Sequence, residues 1–145
     1  MRTVKRLLKE KNRPLWTITS NTRTLDALKL MADKDIGALV VIEGDRLVGI
    51  FSERDYARKV ILKGKASHNT PVKEIMTTEV ITVRPQQTVE ECMAIMERHR
   101  IRYLPVIDSG KLIGIVSIGD VLQAIISEQA DSINQLEGAG LSKDI

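Results

Sequence analysis

The sequence predicts an α+β protein built from two tandem copies of one β-α-β-β-α unit, forming a single module. Three observations carry this. Residues 16–60 align with 81–125 without a gap, giving 11 identities in 45 pairs, among them Leu39/Leu104, Gly49/Gly114, Ser52/Ser117 and Asp55/Asp120, where ordinary residue usage supplies roughly three. Within each copy, apolar residues at helical spacing alternate with short β-favouring runs. Each copy also carries an apolar run that ends in Ser, with Asp three places later, at residues 49–55 and 114–120; that pattern reads as a strand turning into a helix capped by the Ser.

Taken in order, Val4, Leu7 and Leu8 stand at helical spacing among basic residues and predict a short amphipathic lead-in helix, stopped by Asn12-Arg13-Pro14. Residues 16–18 are a short strand candidate, and Leu25, Leu28 and Met31 predict a helix to about Asp35. Residues 38–42 and 47–51 are apolar runs joined by Glu43-Gly44-Asp45-Arg46, a hairpin signal. A helix is expected from Glu53 to about Lys63, ending near Gly64. Polar residues 65–71 connect the copies. Residues 72–76 then mirror the lead-in, 80–83 the first strand, 89–99 the helix, 103–107 and 112–116 the hairpin, and 118–127 the last helix. Beyond it, Ala130, Ile133 and Leu136 extend the helical period until Gly138-Ala139-Gly140 breaks it. The expected organisation is a first repeat with its lead-in at 1–65, a second repeat at 66–128 and a helical extension and tail at 129–145.

Composition narrows the function classes. At 145 residues, 43% hydrophobic and 28% charged, the chain can bury one ordinary core or two small ones. No apolar stretch approaches the roughly 18 residues of a membrane span, and the basic start is not followed by a signal-peptide segment, so a cytoplasmic protein without membrane attachment is expected. Cys92, His68 and His99 supply neither a disulfide nor a zinc-like ligand set, so no metal is expected. A net charge of +3 with acids and bases interspersed argues against a nucleic-acid partner. The Gly-x-x-Ser-x-Gly spacing of residues 114–119 is one residue out from a nucleophile elbow and lacks a matched His. Neither Gly-x-Gly-x-x-Gly nor a Walker loop occurs. Neither an enzyme nor a catalytic cofactor is expected. Cys92 and the Met31/Met96 pair read as core, His99 as a solvated helix end and Trp16 as core or interface packing.

The element order, the Val-Lys-Glu-Ile-Met-Thr lead-in at 72–77, Leu104-Pro105-Val106-Ile107-Asp108, and Leu112-Ile113-Gly114-Ile115-Val116-Ser117 with Asp120 together resemble a tandem pair of CBS (cystathionine beta-synthase) domains, the Bateman module, over residues 4–128. The resemblance implies that two halves pack sheet against sheet about a pseudo-twofold axis. It further implies that adenosine-containing molecules bind in the clefts between them, that the module itself catalyses nothing, and that it associates as a homodimer through its helices, to which residues 60–62 and 125–126 would contribute.

The residue chemistry offers such a site. A carboxylate one turn into a helix can accept hydrogen bonds from both ribose hydroxyls, which makes Asp55 and Asp120 ribose candidates. Ser52 and Ser117, with the free N–H groups of the helix starts, are phosphate candidates. Each Ser also reads as a cap serving only its helix, and each Asp as a favourable charge on the helix dipole; the recurrence of both pairs in register favours the ligand. Thr17-Ile18 and Thr82-Val83 could offer the adenine an apolar slot and backbone edge. By resemblance Thr77, Arg102 and Tyr103, with the neighbouring Leu104 and Pro105 and the matching Gly37 and Ala38 of the first half, also face the ligand. Arg102 could pair with phosphate; its counterpart is Gly37, whereas Arg54 stands where the second half has Gly119, so the two sites should differ. The expected function is a non-catalytic, signal-transducing sensor of AMP, ADP, ATP, NAD or S-adenosylmethionine that reports to a protein target. The rival readings are a ligand-free interaction scaffold and a nucleic-acid binder using the basic N-terminal segment.

Overall fold

Periodicity and strand runs resolve into elements in the expected order in the structure, a computed structural model that describes residues 2–138, the last four by their backbone alone. The first half comprises α1 (Val4–Lys11), β1 (Thr17–Thr19), α2 (Thr24–Lys34), β2 (Ala38–Glu43), β3 (Arg46–Ser52) and α3 (Glu53–Tyr56); the second comprises α4 (Val89–His99), β4 (Tyr103–Asp108), β5 (Lys111–Ser117) and α5 (Ile118–Gly138). α5 is described as far as Gly138, and the remainder of the predicted glycine break, Ala139-Gly140, lies outside the described residues.

The repeat extends to backbone detail. α2 and α4 both stop at a residue in the left-handed conformation, Asp35 (φ 54) and Arg100 (φ 56), and the next amide bonds back to the helix, Ile36 N to Met31 O and Ile101 N to Met96 O. Both hairpins slip register at the same place, after Val41 and after Val106, so each carries a bulge that re-aims its outgoing strand.

The halves differ at their first strands. β1 pairs in parallel with β2 over three residues. Its expected counterpart at 80–83 contracts to a single bridge, Val83 to Val106, held by Val83 N to Pro105 O and Ile107 N to Val83 O. Two prolines explain the contraction. Extending the parallel ladder one step on either side requires amides at residues 105 and 85 to donate to Ile81 and Ile107; both positions are proline, which has no N–H. The helix expected over 53–63 is also altered. After Tyr56 it widens into a π turn at Ala57–Ile61, which keeps Val60 fully buried while Ile61 and Leu62 face outward.

Two cores result, and each is completed by a segment from the other half of the sequence. Val4 and Leu7 of α1 are buried with Val83, Val89, Met96, Leu104, Val106 and Val116. Val72 and Ile75, around a 3-10 turn at Val72–Glu74, are buried with Ile18, Met31, Leu39, Val41 and Phe51. Backbone bonds fix both exchanges: Val4 N to Gln87 O and Lys5 N to Pro85 O on one side, Val72 N to Thr22 O and Lys73 N to Ser20 O on the other. Each such side chain, fully buried, contributes roughly 1.5–3 kcal/mol, so the crossed lead-ins hold the halves together. Cys92 lies in the second core, where burial pushes its thiol up to about 11 and leaves it inert.

Of the apolar helix positions expected at an interface, Val60 is core and Ile125 packs against the second core. Ile61, Leu62 and Ile126 face outward, and Leu25, Ile113, Leu122 and Ile133 are exposed as well. Among the described residues no helix is long and apolar enough to cross a membrane, and no group of three or more His, Cys, Asp or Glu is placed to hold a metal ion.

Candidate nucleotide cleft

The two strand-to-helix junctions form matched capping structures. At the second, Asp120 N donates to Ser117 Oγ (3.1 Å) and Ser117 N to Asp120 Oδ2 (2.9 Å). At the first, Asp55 N donates to Ser52 Oγ (3.2 Å) and Ser52 N to Asp55 Oδ2 (2.9 Å). The helix-capping role is therefore fulfilled at both. What a ligand could use is whatever remains of each carboxylate, and there the two junctions part.

Asp55 is engaged on both oxygens. Ser52 holds Oδ2, while Oδ1 takes a bond from Thr77 Oγ1 (3.4 Å) and an ion pair from Lys59 (3.2 Å). Thr77 arrives from the second lead-in and bridges β3, exchanging N–H to O bonds with Ile50. At the other junction one ammonium takes the corresponding place. Lys11 Nζ, at the end of α1, donates to Ile115 O (3.0 Å) and to Asp120 Oδ2 (2.8 Å). The bonds from Lys11 Nζ and from the Ser117 amide thus both fall on Oδ2 of the Asp120 carboxylate. Burial pushes Asp120 up, but the bond from Lys11, the Ser117 amide and the Lys11 charge outweigh it and hold the carboxyl below its ordinary value.

Ser117 and Asp120 open onto a cleft of about 510 Å³, within the range of small-molecule sites. Its walls come from both halves: Lys11 and Arg13, Trp16, Gly37 and Ala38 at the mouth of β2, and Tyr103 and Ile115 from the second hairpin. Tyr103 crosses to the first half and lies against Gly37, where an added Cβ would overlap its hydroxyl. Only glycine lets the ring approach so closely. Burial, then the nearby Glu53 carboxylate, raise the Tyr103 hydroxyl above its ordinary value, so it remains a neutral donor. Lys34 sits over the Trp16 ring at 4.4 Å, closing one wall.

The structure thus gathers Gly37, Ala38, Tyr103, Ser117 and Asp120 around one cleft, and Ser52, Asp55 and Thr77 around the other junction. Ile18 and Val83 point into the cores, as does Leu104. Thr17 and Pro105 sit on strands behind the cleft, and Thr82 is exposed beside the single bridge. Arg54 and Arg102 are both exposed and line no part of this cleft; Arg102 contributes its carbonyl, which accepts from Ile118 N (2.8 Å), as Gly37 O accepts from Glu53 N (3.1 Å). Sequence reasoning missed Lys11 and Arg13 as cleft residues. A signal for them exists: Val4 stands 13 positions before Thr17, but Val72 only 10 before Thr82. The three extra residues let α1 run one turn further than its counterpart and deliver Lys11 to Asp120.

Comparison with known proteins fits this geometry. The family model described as "CBS domain" matches residues 4–62 and 72–127. A structure of a CBS-domain protein from Burkholderia ambifaria superposes with a TM-score of 0.83 at 52% identity, covering 88% of this chain and 96% of the other. The CBS domain pair of protein MJ0100, solved in complex with 5'-methylthioadenosine and S-adenosyl-L-methionine, superposes at 0.78 with 28% identity over 88% of this chain and 98% of its own. The mitochondrial CBS domain-containing protein CBSX3 of Arabidopsis thaliana is 44% identical over 127 residues, 84% of this chain but only 61% of that protein. With both matched segments coinciding with the two halves of the fold, the chain belongs to the CBS domain family as a tandem pair.

Proposed function

We propose that this CBS pair is a non-catalytic regulatory module that binds an adenosine-containing molecule in the cleft at Asp120. The carrying observation is the convergence, on one cleft of about 510 Å³, of a carboxylate whose bonds from Lys11 and the Ser117 amide fall on Oδ2, a capping serine and the Gly37–Tyr103 contact between halves. Oδ1 of Asp120 can accept from a ribose hydroxyl, and the α5 start with Ser117 offers donors to phosphate. The adenosyl ligands named for the MJ0100 pair support this class of ligand; AMP, ADP, ATP and NAD are proposed alongside S-adenosylmethionine. Because the cleft is walled by both halves, a bound ligand favours one packing of the halves and of the helices behind them. That is a population shift that a protein target can read. Exposed Ile61, Leu62 and Ile126 are proposed as the homodimer surface.

Calorimetric titration of wild type, Asp55→Ala and Asp120→Ala with AMP, ATP, NAD and S-adenosylmethionine tests the reading. Wild type should bind at least one ligand more tightly than about 1 mM, a threshold of about 4 kcal/mol, and Asp120→Ala should lose at least tenfold. Asp55→Ala should lose less, since both its oxygens are already taken by the protein. Absence of binding to wild type would leave the ligand-free scaffold as the better account.

A further inference from the structure

Lys11 holds the carboxylate that the sensor reading assigns to ribose, and it does so with the charge type a phosphate needs. Its side chain is one-fifth exposed and lines the cleft. Two partners hold it, Asp120 Oδ2 and the Ile115 carbonyl. Resting on the sensor reading of this cleft, we propose that Lys11 is a displaceable counterion that makes the cleft select phosphorylated nucleosides over bare ones.

The physical steps are these. A ribose diol drawn to Asp120 competes with Lys11 for the same small carboxylate. Displaced, the ammonium keeps only a neutral carbonyl in a partly dehydrated site, which is costly for a charge. A phosphate entering with the ribose restores an anionic partner; a nucleoside cannot. The long, freely rotating lysine stem lets one ammonium serve either anion without backbone movement. Its neighbours do not compensate. Lys34 is committed to Trp16 and to Asp33 at 3.3 Å, and the other cation of the wall, Arg13, is exposed at the rim. The corresponding place in the first half is filled by the neutral Thr77, whose amide and hydroxyl make the matching bonds to Ile50 O and Asp55. Asp55 also meets an ammonium, Lys59 (3.2 Å), which donates in turn to the Ile75 carbonyl (3.1 Å); what sets Lys11 apart is that it comes from the other half of the fold and lines the cleft, which Lys59 does not.

The test compares AMP with adenosine by calorimetry on wild type, Lys11→Gln and Lys11→Arg. Gln retains a donor for the Ile115 carbonyl while removing the charge. In Lys11→Gln, AMP should weaken about tenfold, the loss of one charge-assisted bond, whereas adenosine should be unchanged or tighter because its competitor is gone. Lys11→Arg should keep the preference for AMP, and the wild-type preference should shrink between low salt and about 0.5 M salt. Equal weakening of both ligands in Lys11→Gln, or no change in either, overturns the proposal in favour of a purely structural strap. If Lys11→Gln does not fold, a salt-independent wild-type ratio overturns it instead. Binding of neither ligand to wild type removes the sensor reading itself, and the role of Lys11 with it.

Discussion

Asp120 is where the chemistry of the cleft meets the stability of the fold. Its folded carboxyl titrates below the ordinary value of 3.8 because Lys11 and the Ser117 amide favour the charged form over the opposing effect of burial. A carboxylate depressed in this way stabilises the folded state fully above the unfolded value, and the contribution is lost as pH falls through the folded one. Asp120→Asn should therefore be less stable than wild type by about 1 kcal/mol at neutral pH, and the gap in denaturant midpoint should close as pH drops from about 5 to about 2. A gap that stays constant over that interval would show that the Asn variant loses packing or cap geometry and not the ion pair. Ser117 and Asp120 were visible in the sequence because the repeat doubles them. Lys11 was not, because it belongs to the turn by which the two lead-ins differ, and a repeat highlights only what recurs.

Among the elements, hairpins and long helices were legible from periodicity and turn residues. Gly44 and Gly110 adopt positive φ in the two hairpin turns, as the turn pattern requires. The strand at 80–83 was misread because its residue types match those of β1 while its ladder does not. Type and alternation describe side chains, but pairing depends on which amides exist, and the missing ones belong to Pro85 and to Pro105 on the neighbouring strand. Pro105→Val supplies one amide within reach of the Ile81 carbonyl. We expect the amide at residue 105 to be protected in hydrogen exchange and the bridge at Val83 to lengthen into a strand. Rapid exchange of that amide would mean that the path of residues 80–82 is set elsewhere. Similarly, continuous helical spacing over 53–63 conceals the π turn, since one wide turn shifts which side chains face inward without changing the residue types.

At the scale of the whole molecule, two cores and one exchanged pair of lead-ins leave an outer surface on which Ile61, Leu62 and Ile126 are 56%, 78% and 60% exposed. Isolated apolar residues on a surface are ordinary, whereas several on helix faces suit an interface between copies. Sedimentation equilibrium should find a dimer for wild type, and Leu62→Glu with Ile126→Glu should shift it to monomer without lowering the melting temperature of the monomeric unit. A wild-type protein that remains monomeric at about 100 times a micromolar dissociation constant rules this surface out as a self-interface. The crossed lead-ins have a further effect, on the order of events during synthesis. α1 is synthesised before its partners, the carbonyls of Pro85 and Gln87 and the core around Val89 and Val116. The first half meanwhile lacks the Val72 and Ile75 that close its own core. Contact order is thereby raised by design of the topology, and loop closure must precede the reward of burial. The nascent chain is committed to folding as a unit, because α1 cannot dock before the second half has been made.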